Sequence, residues 1–193
     1  MTKLFIKCFF DEITNTATYV IADSAKKECA IIDSVLGFDL SSGVTSTELV
    51  DEVIDFVVAK HWTCRRILET HAHADHITAA PYLQKKLGGK IAIGKHIVEV
   101  QKIFKTIFNF ESEFVTDGKQ FDLLLEEGDV INLGSHAISI LHTPGHTPKH
   151  VLLMWLMALH LLVIHYLCLI MVLLVVISLA VVLSNSIILS KKF

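Results

Sequence analysis

The chain has 193 residues, enough for one domain with a real hydrophobic core, with or without an appendage. Its formal net charge of −3 gives no electrostatic reason to expect nucleic-acid binding, so that class of function is excluded. The four cysteines (Cys8, Cys29, Cys64 and Cys168) form no close-spaced pair, which argues against a zinc knuckle or a disulfide framework. The same cysteine spacing makes a reduced, cytoplasmic setting the expectation. Because charge interrupts the apolar residues of the N-terminus, we expect no signal peptide.

The charged residues are distributed very unevenly along the chain. Of the 17 basic and 20 acidic residues, only Lys191 and Lys192 lie beyond position 150, and the last carboxylate is Asp129. The mean hydropathy of +0.55 therefore averages two unlike segments. We predict a domain at residues 1–150 and a separate apolar tail at residues 151–193.

Within residues 1–150, strand and helix patterns alternate. Short β-branched or aromatic runs between polar turns predict strands at 4–10, 17–22, 29–32, 66–69, 90–93, 123–130 and 137–141. Apolar residues at helical spacing predict helices at 46–60 after a Ser/Thr cap, around 78–87 before Gly88-Gly89, and at 97–108. This alternation predicts a layered α/β (α+β) fold with its chemistry at loop ends.

A dense cluster of metal-ligand residues follows the strand predicted at 66–69. In the segment HAHADH at 71–76, His71 and His73 alternate, so they can face one metal ion, while Asp75 and His76 turn towards a site close by. Imidazole and carboxylate ligands favour zinc, iron or manganese over calcium or magnesium. The absence of thiolates in the cluster argues against a closed structural zinc site.

A more distant histidine can complete such a site. His146 lies in the turn TPGHTP at 143–148, rigid at two prolines and adaptable at one glycine, which suits delivery of one ligand from a remote loop. His142 stands at the end of a predicted strand, and we expect it to be structural rather than a ligand. His61, His96 and His136 are isolated, and we expect them to have no functional role.

The pattern His-x-His-x-Asp-His followed by Thr-Pro-Gly-His resembles the metallo-β-lactamase superfamily, which includes glyoxalase II thioesterases, lactamases and persulfide dioxygenases. More narrowly, ETHAHADHITAAPYL at 69–83 and GKHIVEVQK at 94–102 look like the persulfide dioxygenase and β-lactamase-hydrolase-like branch. The likeness covers about residues 1–150. It implies the αββα sandwich of that superfamily, of which this chain would supply only the N-terminal part.

The resemblance also implies a ligand set. The branch holds a single non-haem iron with two histidines and one aspartate, and His71 and His146 match the two histidines. His73, Asp75 and His76 match positions that bind a second metal in dinuclear relatives; in a dioxygenase they would surround the iron without binding it. The implied cofactor is Fe²⁺, with Zn²⁺ as the alternative. The implied partner is a small thiol or persulfide such as glutathione persulfide, since such a ligand set leaves iron positions open to oxygen and sulfur together.

The aspartate of that set is missing. The resemblance places it about 15–20 residues after the Thr-Pro-Gly-His turn, yet residues 151–183 carry no charged group at all. Taken as written, this run is long enough to span a bilayer, since about 20 apolar residues suffice. A membrane anchor at 151–183 is therefore one interpretation of the tail, and membrane association depends on it.

A shifted reading frame is the interpretation we favour. The branch typically continues Gly-Asp-Thr-Leu-Phe-Met-Pro-Asp-Tyr-Gly, and ordinary codons for that segment, read one nucleotide late, encode Val-Ile-His-Tyr-Leu-Cys-Leu-Ile-Met-Val. That is the sequence from Val163 to Val172, and the agreement continues to Val181. The shift would fall between Pro148 and Leu153, and Ile164 would stand where the metal-binding aspartate belongs.

Three functions follow as hypotheses. The first is an iron persulfide dioxygenase whose chain, as translated here, is inactive. The second is a glyoxalase II-like thioester hydrolase with two zinc ions and a bridging hydroxide. The third is a membrane-anchored protein without enzymatic activity.

Overall fold

In the computed structural model, residues 4–142 are described in full, together with the backbone of 152–156 and 159–161. Strands and helices alternate along this part of the chain. The elements in chain order are β1 (Leu4–Asp11), β2 (Thr16–Asp23), β3 (Glu28–Ile32), β4 (Val35–Asp39), β5 (Val44–Ser46), α1 (Glu48–Ala59), β6 (Thr63–Leu68), β7 (Ile77–Thr78), α2 (Ala80–Leu87), β8 (Lys90–Gly94), α3 (Ile97–Ile107), β9 (Leu123–Leu125), β10 (Val130–Leu133), β11 (His136–His142), β12 (Leu152–Leu156) and β13 (Leu159–Leu161).

A six-stranded mixed sheet with the order β1-β2-β3-β6-β8-β9 organises the domain. The first three strands pair antiparallel, whereas β3, β6, β8 and β9 run parallel to one another. Helices α1, α2 and α3 lie in the connections between the parallel strands, as parallel pairing requires. The carboxyl ends of β3, β6 and β8 therefore lie side by side at one edge of the sheet.

Alternate residues of the central strands face opposite sides of this sheet. Cys29 and Ile31 of β3 pack with α1 and α2 on one side. Ala30 and Ile32 face the other side, against the second sheet formed by β10-β11-β12-β13. The result is three layers, with helices, the six-stranded sheet and a second sheet, and both faces of β3 are buried. The predicted layered α/β (α+β) fold is confirmed for this part of the chain.

The predicted helices are confirmed with small changes at their ends. Helix α1 begins at Glu48, and Thr47 precedes it, but the Thr47 hydroxyl donates to Asp51 Oδ2 at 2.7 Å instead of accepting from the helix. The Ser/Thr cap that we predicted there is therefore not formed in the expected way. Helix α2 ends at Leu87, and Gly88 follows with a φ of 72°, as its glycine signal predicts.

The short strands were not predicted from the sequence. Strands β5, β4 and β7 form a three-stranded sheet, and β7 contains only two residues. The predicted strand at 123–130 is instead β9 followed by a turn, with β10 beginning at Val130. A segment so short carries too few residues for an alternating pattern to be recognised.

The described part of the predicted tail extends the second sheet. Strand β12 pairs antiparallel with β11, and β13 pairs antiparallel with β12. The rest of the predicted apolar tail, including Ile164, lies outside the described residues, as does His146. Among the described residues, no helix combines the length and the apolar character needed to cross a bilayer.

Candidate metal centre

Three neighbouring strand ends build the candidate site. Residue Asp33 follows β3, the histidine segment follows β6, and His96 follows β8. Two backbone hydrogen bonds hold these exits in register, from Asp33 N to Leu68 O at 2.9 Å and from Glu69 N to Ala92 O at 2.9 Å. The site therefore lies at the carboxyl edge of the parallel strands, where open α/β sheets commonly bind their ligands.

The histidines predicted from the motif lie together. The ring centroids of His71 and His73 are 4.1 Å apart, and those of His73 and His76 are 4.2 Å apart. One ligand atom from each of His73, Asp75 and His76 lies within 4.8 Å of the others. His71 is buried, and its Nδ1 lies 2.8 Å from the Thr70 hydroxyl. The structure thus gathers His71, His73, Asp75 and His76, whereas His146 lies outside the described residues.

Two buried carboxylates, those of Asp33 and Glu69, contact the Nε2 atom of His73. His73 Nε2 lies 3.0 Å from Asp33 Oδ1 and 3.3 Å from Glu69 Oε2. Asp33 also accepts hydrogen bonds from the Thr70 backbone N–H and hydroxyl, both at 2.7 Å. Glu69 Oε1 accepts from the Thr78 hydroxyl at 2.5 Å. With Nε2 donating to carboxylates, the ring orientation of His73 is fixed, and its Nδ1 lies 4.0 Å from Asp75 Oδ1.

Burial and charge shift the pKa values of these groups. Burial by itself lowers the pKa of His73, but the charges of Asp33 and Glu69 outweigh it and raise that pKa to about 10. Burial raises the pKa of Glu69, with only partial compensation from His73. For Asp33, burial acts upwards, yet the His73 imidazolium and the Thr70 hydrogen bonds hold its pKa below the ordinary range. Burial and the neighbouring His73 lower the pKa of His76.

Asp75 and His76 are positioned by a residue far away in the sequence. Thr16, at the start of β2, donates its hydroxyl to Asp75 Oδ2 at 3.0 Å. The same carboxylate oxygen lies 3.1 Å from His76 Nδ1. Asp75 therefore orients the ring of His76 through its Nδ1. The other ring nitrogen, Nε2, makes no hydrogen bond to the described residues.

These residues fit a transition-metal ion. His73 Nδ1 and His76 Nε2 are both buried and have no hydrogen-bond partner among the described residues. Buried nitrogens are rarely left unpaired, so their shared arrangement beside Asp75 indicates a missing partner that accepts lone pairs. Imidazole nitrogens with one carboxylate suit zinc or iron. Because the pKa of His73 is raised, a metal ion at its Nδ1 would have to displace a proton.

Asp33, Glu69 and Thr16 were not predicted as site residues. Asp33 follows the apolar run of β3, and it reaches His73 only because β3 pairs directly with β6. An acidic residue directly after a buried strand is the signal that could have indicated it. Nothing in the sequence pattern indicates Thr16, whose contact with Asp75 depends on the tertiary fold.

Comparison with known proteins agrees with this architecture. The model of the metallo-beta-lactamase superfamily matches residues 13–155. The chain is 50% identical over 143 residues to a probable metallo-hydrolase of Burkholderia pseudomallei, covering 74% of this chain and 49% of that protein. It is 42% identical over 150 residues to glyoxylase B2 of Dictyostelium discoideum, covering 77% and 51%.

Two further similarities concern persulfide dioxygenases and a solved structure. The chain is 27% identical over 146 residues to the human mitochondrial persulfide dioxygenase ETHE1, covering 75% of this chain and 45% of that protein. The crystal structure of ETHE1 from Myxococcus xanthus matches with a TM-score of 0.56 and 26% identity, covering 79% of this chain and 53% of that one. The chain spans about half the length of the relatives that it matches.

Proposed function

Because the chain belongs to the metallo-beta-lactamase superfamily, a family of metal-dependent hydrolases and dioxygenases, we propose that it derives from a non-haem iron persulfide dioxygenase. The observation that carries this proposal is the histidine cluster that follows β6, where the predicted ligand His71 is buried and its ring centroid lies 4.1 Å from that of His73. In this proposal His71 and His146 bind the iron. His73, Asp75 and His76 surround it, or bind a second metal in the alternative below.

The reaction converts glutathione persulfide, oxygen and water into glutathione and sulfite. Bound iron would supply the chemistry that brings oxygen and the substrate sulfur together. The residues of the chain would keep the side chains around the iron in a fixed orientation. Asp33 and Glu69 keep His73 oriented, and Thr16 keeps Asp75 against His76. Burial of His71 and His73 excludes water from this side of the site and preserves their geometry.

We further propose that the chain as translated is inactive, because residues 151–193 are out of frame. Ile164 then stands in place of the aspartate ligand, and two neutral imidazoles hold a divalent ion poorly. Out-of-frame residues in place of the native C-terminal strands and helices would also leave apolar surface uncovered. Determining the nucleotide sequence of codons 148–153 tests this directly. A single inserted or lost base whose correction restores Gly-Asp-Thr supports the frame shift, and an intact frame supports a genuine apolar tail with a membrane anchor.

Activity is tested with the frame-restored protein. We expect it to consume oxygen in the presence of glutathione persulfide and to release sulfite, whereas the chain with its present tail should do neither. Absence of oxygen uptake by an iron-loaded, folded, frame-restored protein would remove the dioxygenase proposal. The cytoplasmic location predicted from the cysteine content stays a prediction, which fractionation of cells expressing the protein would check.

A second candidate is a dinuclear zinc hydrolase of the glyoxalase II type. The observation that favours it is the group of His73, Asp75 and His76, whose ligand atoms lie within 4.8 Å of one another, as a second metal position requires. The 42% identity to glyoxylase B2 agrees with it. Two zinc ions per chain and hydrolysis of a glutathione thioester by the frame-restored protein would establish this candidate in place of the first.

A further inference from the structure

Cys29 and Cys64 lie opposite each other on neighbouring strands of the six-stranded sheet. They are paired residues in the parallel register of β3 and β6. Both side chains belong to the buried cluster on the helical side of that sheet, with exposed fractions of 0% and 3%. Both are free thiols, and because they are far apart in the sequence, a search for close-spaced cysteines does not find them.

The backbone geometry at this pair suits a disulfide bond. Neighbouring strands lie about 4.8 Å apart, and a disulfide joins α-carbons that are about 4.4–6.8 Å apart. The register shifts directly after the pair, because Ala30 pairs with Arg66 and Arg65 is left out of the pairing. A bulge bends its strand locally, so Cys64 can turn towards Cys29 without disturbing the rest of the pairing.

The two thiols differ in acidity. Cys29 donates its S–H to the sulfur of Cys64. This hydrogen bond lowers the pKa of Cys64 against the opposing effect of burial, whereas the same hydrogen bond and burial together raise the pKa of Cys29. Cys64 is therefore the thiol that forms the thiolate nucleophile more readily, and Cys29 is its neighbour in position to react second.

The backbone at the end of α2 separates Cys64 from the surface. A Cβ at Gly89 would lie 3.4 Å from Cys64 Sγ, and the preceding Gly88 is exposed. Because neither glycine has a side chain, local opening of this turn exposes the sulfur to a small molecule. A hydroperoxide is small enough to reach it, whereas a bulky aromatic disulfide reagent is not.

We propose that Cys29 and Cys64 form an oxidation site for hydroperoxides, in which the two thiols become one disulfide bond between β3 and β6. The Cys64 thiolate first attacks hydrogen peroxide: a sulfur–oxygen bond forms, the oxygen–oxygen bond breaks, and the leaving hydroxide takes up the proton that Cys64 lost. The Cys29 sulfur then attacks the sulfenic acid: the disulfide forms, the sulfur–oxygen bond breaks, and hydroxide leaves with the proton of Cys29. Two thiols and one hydrogen peroxide thus give one disulfide and two waters.

This oxidation site is separate from the candidate metal centre. Cys29 and Cys64 lie near the starts of β3 and β6, whereas Asp33 and the histidine segment at 71–76 follow the ends of the same strands. The disulfide therefore cross-links the two strands that carry the metal centre without using any of its side chains. The inference does not depend on the proposed function, and its test needs neither metal nor enzymatic activity.

Peptide mapping after oxidation tests the inference. The reduced, metal-free full chain is treated with hydrogen peroxide under native conditions, alkylated in denaturant and digested with trypsin. Trypsin separates Cys29 and Cys64 into the peptides 28–60 and 61–65, and Cys8 lies in neither. Mass spectrometry should find these two peptides joined, and a reducing agent should separate them.

Cysteine variants provide the controls. Cys29→Ser should remove the joined peptides, whereas Cys8→Ser, the matched change at an exposed thiol, should keep them. If Cys29→Ser fails to fold, the parent chain still decides the question. When the parent is oxidised in concentrated urea, Cys8 should be linked as readily as Cys29 or Cys64, because only the folded sheet holds the pair together.

Oxidation should also raise the stability of the chain. A disulfide constrains the unfolded state, so the urea midpoint of the oxidised parent should lie about 1 M above that of the reduced parent. A lower midpoint for the linked chain would show that the bond distorts the native strands and would overturn the inference. Absence of the joined peptides from the native parent, under conditions that oxidise Cys8 completely, would overturn it as well.

Discussion

Replacing Asp33 with Asn removes the charge that orients His73 while keeping the size of the side chain. Asp33 is 2% exposed and has a φ of 49°, a left-handed conformation that Asn tolerates, so the backbone need not change. The amide oxygen can still accept from Thr70, so the main loss is the ion pair of 3.0 Å with His73 Nε2. Removing one partner of a buried pair costs about 3–5 kcal/mol, and the retained hydrogen bonds place the expected loss near the lower end, at about 3 kcal/mol.

Urea unfolding of the metal-free full chain at pH 7 measures this loss. With a denaturant dependence of about 2–3 kcal/mol per molar, the midpoint of Asp33→Asn should fall by about 1 M or more. Asp55→Asn is the matched control, because Asp55 is exposed on α1 and the same chemical change there should leave the midpoint within about 0.2 M of the parent. Midpoints of the two variants that coincide would refute the assignment of Asp33 as the group that holds His73.

Two further predictions concern pH and the turn before β11. Because the pKa of His73 is raised to about 10, its contribution to the free energy of unfolding is fully present below a pH of about 6.5 and is lost as the pH rises through about 10. The free energy of unfolding of the metal-free chain should therefore fall more steeply between pH 7 and 10 than that of Asp33→Asn. Parallel curves for the two proteins would contradict this. Gly134 has a φ of 60°, and a Cβ at this position would lie 2.5 Å from Asp23 Oδ2, whereas a Cβ at Gly43 would meet open space. Gly134→Ala should therefore lower the urea midpoint of unfolding about twice as much as Gly43→Ala. Equal losses would show that only the backbone conformation matters.

The histidine cluster could be predicted because its residues are adjacent in the chain. Alternation along an extended exit from β6 was enough to place His71 and His73 together, and their rings are 4.1 Å apart. The same local logic predicted the helices, whose apolar spacing and glycine end signals lie within a few residues. Features that depend on neighbours in sequence can thus be predicted from the amino-acid chain alone.

Contacts that depend on the order of strands in the sheets could not be predicted from the sequence. Asp33 reaches His73 because β3 pairs with β6, and His142 reaches His96 because the second sheet packs over the first. Both pairs are far apart in sequence, and no periodic pattern connects them. The expectation that His96 has no functional role stays a prediction, since the structure shows only that its ring centroid lies 4.8 Å from that of His142.

Iron retention tests the central claim most directly. The chain as translated and the frame-restored protein are loaded with Fe²⁺ without oxygen, desalted, and analysed for iron and protein. We predict about one iron per chain for the frame-restored protein, held by His71, His146 and the restored aspartate, and far less for the chain in which Ile164 occupies that position. About one iron per chain in both would contradict the claim, since it would show that the metal site is complete without the lost aspartate.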